Sequence, residues 1–182
     1  MVRAVVVTTA LALAFSTLAC PSPTPTQAPD PQPAATLTPE QARAEVVLFA
    51  RGMMAVRLDH QRQVEERNAF SAAMADTAPD VAVERFTDFL EQSEQLHSRV
   101  SEMRTPSTVK AALVHGVYIS AFSKERETLS ELFKGLLFGD LAKVDAASSM
   151  AKEAEALFRQ ADAAFEDLLD AYGIQRLEAS PQ

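Results

Sequence analysis

From residue 38 onward the chain repeats apolar side chains at alternating steps of three and four. Phe49, Met53, Val56, His60, Gln63, Arg67, Phe70 and Met74 form the first such stripe, the spacing that lines up one face of a helix. Thr38-Pro39-Glu40-Gln41 stands before it as a threonine cap, a proline at the first helical position and a glutamine that can close a capping box. Together they predict a helix over 39–75. Asp76-Thr77-Ala78-Pro79-Asp80 breaks the pattern, and Ala82, Phe86, Phe89, Ser93, Leu96, Val100 and Met103 predict a second helix over 79–104. Thr105-Pro106 repeats the cap-plus-proline device. Ala112, His115, Ile119, Phe122, Arg126, Leu129, Phe133 and Leu136 then predict a third helix over 106–138. In Phe138-Gly139-Asp140 the glycine suits a left-handed stop and the aspartate a new cap. The fourth stripe is Ala147, Met150, Ala154, Leu157, Ala161, Ala164 and Leu168, widened by Phe158, Phe165 and Leu169. It predicts a helix over 140–172, ended by Gly173.

Four amphipathic helices joined by short turns point to an all-α fold, an up-down-up-down antiparallel four-helix bundle over 38–174 with a frayed tail at 175–182. The start of the chain has a different character. Seven of the ten prolines lie before residue 40, so residues 20–37 predict an extended, disordered tether of about 3.1 Å per residue. Residues 1–19 have a positive start with Arg3, an apolar run from Ala4 to Phe15, and then small residues. That order predicts a cleaved signal peptide; the run is shorter than the ~20 residues a spanning helix needs.

Cys20 is the only cysteine, and Ser16-Thr17-Leu18-Ala19-Cys20 resembles the lipobox of bacterial lipoproteins. The resemblance implies cleavage between Ala19 and Cys20, a diacylglyceryl thioether with palmitate-like chains on Cys20, and a lipid-anchored place in the bacterial cell envelope. The folded part would then face the periplasm or the exterior. An ordinary secretory signal that happens to contain a cysteine is the alternative, and the proline-rich stretch after Cys20 favours lipidation. An acylated Cys20 leaves no internal disulfide, so stability has to come from apolar packing. The stretch from Val100 to Ile174 resembles small bacterial four-helix-bundle envelope lipoproteins, through Pro106, His115, Gly139-Asp140 and Tyr172-Gly173. Such proteins have no settled activity, so the resemblance bears on fold and location alone.

The formal net charge of −8 becomes one unit more acidic if Arg3 leaves with the leader. An acidic body repels nucleic acid. The expected partners are the bilayer, through Cys20, and an envelope protein or small ligand. Among candidate ligating groups, Glu94-Gln95-Leu96-His97 has the i, i+3 spacing of one half of a di-iron site. A second copy is lacking, because Ala112 precedes His115 by three and Arg57 precedes His60 by three. His97 and His115, with Glu94, remain weak metal candidates; the plainer reading makes the histidines buried and hydrogen-bonded. No Cys-x-x-Cys-His attaches a c-type haem. Gln63, Arg67 and Arg126 interrupt apolar seams, and Arg67 is expected to meet Glu127 or Glu94 and fix helix register. The pairs Glu125/Glu127 and Glu153/Glu155 diverge around a helix and read as a solvated face. With no nucleophile elbow and no phosphate loop, the expectation is a non-catalytic binding or structural domain without a cofactor. The alternative is a metal- or haem-binding bundle acting as sensor or carrier.

Overall fold

A computed structural model describes residues 37–175. The predicted signal peptide, the expected Ala19–Cys20 cleavage junction, the predicted tether as far as residue 36 and the predicted frayed tail from 176 lie outside the described residues. Within them the chain is all-α: α1 Pro39–Ala73, α2 Pro79–Glu102, α3 Val109–Phe138 and α4 Leu141–Tyr172, with a 3-10 turn at Met74–Asp76.

The helix ends follow local chemistry. Thr38 and Gln41 form a reciprocal capping box, each side chain bonded to the other's backbone amide at 3.2 and 2.9 Å. Asp140 accepts from the amides of Ala142 and Lys143. Gly139 and Gly173 close α3 and α4 at φ 65° and 60°, the left-handed region that a side chain disfavours. The Thr105-Pro106 device does not start α3, which begins three residues after Pro106, at Val109. Pro106 is buried, and Glu45 of α1 accepts from the amide and hydroxyl of Ser107 at 3.0 and 3.1 Å. These ties hold the segment before α3 as a strapped loop rather than a first turn.

Interhelical ties give the pairing. Glu45 meets Ser107, Asp59 meets Arg99 at 2.6 Å, and Phe70 meets Phe86 at 5.5 Å between ring centroids. Between α2 and α3, Glu94 meets Arg126 at 2.9 Å. Between α3 and α4, Tyr118 meets Asp162 at 2.6 Å, Lys124 meets Glu153 at 2.8 Å and Glu131 meets Lys143 at 3.2 Å.

The fully apolar core fills one half of this assembly. Val46, Met53 and Val56 pack there with Leu96, Val100, Val114, Tyr118, Phe122, Phe165 and Leu168. No residue of α1 beyond Val56, and none of α2 before Phe89, is buried. The other half holds a cluster of Phe70, Phe86, Phe89 and Phe133; Phe89 is buried and the other three are partly exposed. The predicted seams of α2 and α4 largely coincide with the buried faces. On α3 the buried face is turned: Ala111, Val114, Tyr118 and Ala121 lie inside with His115 and Phe122, while Leu136 is exposed.

Among the described glycines, Gly135 is the most closely packed. A Cβ there would lie 2.9 Å from Val144 Cγ2, 3.0 Å from the Val144 amide and 3.1 Å from the Asp140 carbonyl. Gly135→Ala is therefore expected to push the α3–α4 turn apart and destabilise the domain by about 1–3 kcal/mol in chemical denaturation. Unchanged stability would mean that the turn relaxes freely. Phe122→Ala, which empties a fully buried site, is expected to cost about 3–5 kcal/mol in the same measurement.

Candidate functional site

The three histidines do different work. His115 is buried, and its Nε2 donates to the carbonyl of Val100 at 2.7 Å. That carbonyl lies in the last turn of α2 and also accepts from the Met103 amide at 3.2 Å, so His115 adds a side-chain cap to the end of its neighbour. The ring also meets Phe49 edge-on. His97 sits in a shallow groove with Ile119, Ser120 and Ser123, a turn further along α3 than His115. The two are thus placed apart, and Glu94 is engaged with Arg126. Among the described residues, no group of three or more His, Cys, Asp or Glu side chains could hold a metal ion.

His60 belongs to a polar node between α1 and α3. Its Nε2 donates to Glu125 Oε1 at 3.0 Å, and Arg67 bonds the same oxygen. The side chains of Glu125, Arg67 and His60 are only 13, 15 and 16 % exposed. Burial alone would raise the Glu125 carboxyl, but the His60 hydrogen bond and the Arg67 charge outweigh it and hold the group below its ordinary range. The expected partner of Arg67 is therefore corrected: it is Glu125, while Arg126 takes Glu94. The shared solvated face is corrected as well. Glu125 and Glu127 do diverge, but the helix turns Glu125 inward and leaves Glu127 outside.

Beside this node, α1, α3 and α4 enclose a cleft of about 390 Å³. Its polar wall is centred on Arg57, whose Nε lies 3.0 Å from Asp162 Oδ1 and whose Nη1 lies 2.9 Å from Glu166 Oε1. The guanidinium also covers the Phe165 ring, 5.1 Å from its centroid, a cation–π contact. Tyr118 donates its hydroxyl to the same Asp162 oxygen at 2.6 Å. Burial first, and then this bond, push the phenol far above its ordinary range, so it stays protonated. Burial opposes the charge on Arg57, yet the carboxylates of Glu166 and Asp162 hold it charged. Phe122, Phe158, Met54 and Leu169 supply the apolar lining. The His60 ring stacks on Phe158 at 4.3 Å between centroids and meets Phe122 edge-on.

Sequence reasoning placed His60 and Phe158 on inward stripes but missed Arg57, Tyr118, Asp162 and Glu166. Arg57 precedes His60 by three, beside the seam. Asp162 and Glu166 are four apart and follow the core residues Ala161 and Phe165. Charged groups of opposite sign flanking two seams would have located the cleft, given that the inner face of α3 runs through Tyr118.

The node has a pH signature. A carboxyl held below its ordinary value of 4.5 contributes stability that is complete above about that pH and is lost as pH falls through the folded-state value. Thermal melts from pH 7 down to pH 3 should show the gap between wild type and Glu125→Gln, roughly 1–3 kcal/mol at neutrality for bonds to a charged group, closing on acidification. A gap independent of pH would remove the carboxylate from this role. Comparison with protein-family models, with curated proteins and with solved structures finds no match to the chain, so the functional reading rests on the geometry of the node and the cleft.

Proposed function

We propose that this chain is a bacterial envelope lipoprotein, anchored in a bilayer through acylated Cys20, whose helical domain is a non-catalytic binding module. In this reading residues 1–19 are a cleaved leader, 20–37 a tether and 38–174 an up-down-up-down antiparallel bundle. The ion pairs support that topology, since low-numbered positions of each helix meet high-numbered positions of the next. The lipobox-like Ser16-Thr17-Leu18-Ala19-Cys20 and the prolines behind it support the anchor. Among the described residues no helix is long and apolar enough to cross a membrane, so attachment to a bilayer in this reading depends on Cys20.

The observation that carries the binding role is the cleft between α1, α3 and α4. Its volume falls within the range of small-molecule sites, and it combines an apolar lining with a few fixed polar groups. Its groups are set for recognition rather than turnover. The Tyr118 hydroxyl is bonded to Asp162 and remains protonated, the wrong state for a nucleophile or base. His60 Nε2 is engaged by Glu125.

Cys20→Ser is expected to move the protein from the membrane fraction of cells to the soluble envelope fraction, because stable attachment needs the acyl chains. Retention of the variant in the membrane pellet would overturn the anchor.

A further inference from the structure

The outer face of α3 carries a second surface, on the side of the helix away from the cleft. Tyr118 and Phe122 turn inward, while Leu113, Gly116, Ser120 and Glu127 turn outward and are exposed. Here α2 and α4 wall a trough whose floor is α3. Two adjoining stretches of it, of about 710 and 490 Å³, share Glu127. Leu90, Ile119, Met150 and Leu157 line it and are half-buried. Met150 and Leu157 stand seven residues apart on α4, about 10 Å along the axis. That interval matches the i, i+7 recurrence of an apolar stripe on a helix laid alongside. Gly116 meets no packing need within the fold, since a Cβ there would touch nothing within 4 Å. Glycine inside an exposed helix is nonetheless destabilising; what it provides is room for another backbone to come close.

The charges of the trough are unevenly matched. Its cations are already paired, Arg126 with Glu94 at 2.9 Å, Lys124 with Glu153 at 2.8 Å and Lys134 with Glu131 at 2.8 Å. Among the described residues Glu91 meets no cation, and Glu127 has only the engaged Lys124, 4.0 Å away. Both carboxylates are exposed. An elongated apolar trough with two unmatched carboxylates complements a helix that carries cations beside an apolar stripe. A second copy of this chain would set the same carboxylates against themselves, and an anionic bilayer would be repelled.

We propose that this trough docks a cationic amphipathic helix of another protein, its apolar stripe on Ile119, Met150 and Leu157 and its Lys or Arg side chains on Glu91 and Glu127. The surface goes beyond the cleft and does not depend on it, so its failure leaves the reading of the cleft untouched.

Three peptides of roughly 18 residues, about five helical turns, test the assignment. The first is a Leu/Lys helix with leucine at i, i+3, i+4 and i+7, and the second a Leu/Glu helix of the same pattern. The third has the composition of the first with its leucines scattered around the helix. Each is titrated calorimetrically into Thr36–Gln182, which is a compact unit by itself; its use keeps lipid, which also takes up such peptides, out of the cell. The Leu/Lys helix is expected to bind saturably, one per chain, and at least tenfold more tightly than either other peptide. Glu91→Gln combined with Glu127→Gln should weaken it at least tenfold. Glu40→Gln combined with Asp170→Asn removes as much charge from exposed sites elsewhere and should leave it unaltered. Ser120→Lys sets a cation on the floor and should also weaken binding tenfold. It gives a second reading should the first pair fail to show a native circular dichroism spectrum. Equal or tighter binding by either other peptide, or an equal loss in the control pair, would overturn the docking. Binding insensitive to both trough changes would overturn the site. A domain that sediments as a dimer, and as a monomer after Ser120→Lys, would give the trough to a second copy and overturn the proposal. Silence from all three peptides would overturn it too.

Discussion

A largely buried carboxylate between two helices is the constraint around which this domain is arranged. Glu125 cannot be taken out of water alone, so α1 must bring both His60 and Arg67 to it. Those residues lie two turns apart on α1, and their shared target fixes where α1 stands along α3, as well as which face it presents. A purely apolar seam would be far more tolerant of sliding by a turn. The fixed register then delivers Arg57, one turn before His60, to the face of Phe165 and to the carboxylates of α4. The node and the cleft are parts of one arrangement, joined through the His60 ring stacked on Phe158.

The node also divides the interior. On one side the core is aliphatic and aromatic, and its outer end is tied by His115 on the Val100 carbonyl and by Glu45 on Ser107. On the other side the helices are held by a partly exposed phenylalanine cluster and surface ion pairs. Polar atoms that are buried without a partner among the described residues, including Gln63 Oε1, Arg67 Nη1 and Glu125 Oε2, mark this divide. A polar layer of this kind restricts alternative packings more than it adds stability.

The helices were legible in the sequence because their signals are local. The Thr38 capping box, the Gly139-Asp140 punctuation and Gly173 act over four residues or fewer, and each appears where the pattern placed it. The start of α3 was not legible, because a carboxylate of α1 decides it: Glu45 occupies the amide and hydroxyl of Ser107. The inner face of α3 was read turned from its true position for a related reason. His115 and Phe122 do lie inward, but Ala112 and Ile119 are only partly buried, whereas Ala111, Val114, Tyr118 and Ala121 are enclosed. Small and amphipathic residues such as Ala111 and Tyr118 carry weak hydropathy signals, so the stripe was drawn through the wrong neighbours. The cleft was hidden because its charges sit at seam edges, where a salt bridge and a solvated residue look alike in a sequence. Spacing could suggest that Arg67 needs a carboxylate, but choosing Glu125 over Glu127 required the rotation of α3.

The uneven core has a mechanical meaning as well. Leu37 leads the chain directly into the part of α1 that carries Val46, Phe49, Met53 and Val56. A pull arriving from the N-terminal side would therefore meet the enclosed core and the Glu45 strap first. The more open end, with Phe138 and Leu141 at its turn, lies away from the point where force enters. The domain is most closely packed at the end that the N-terminal segment enters, and that is where a tether's pull would be borne.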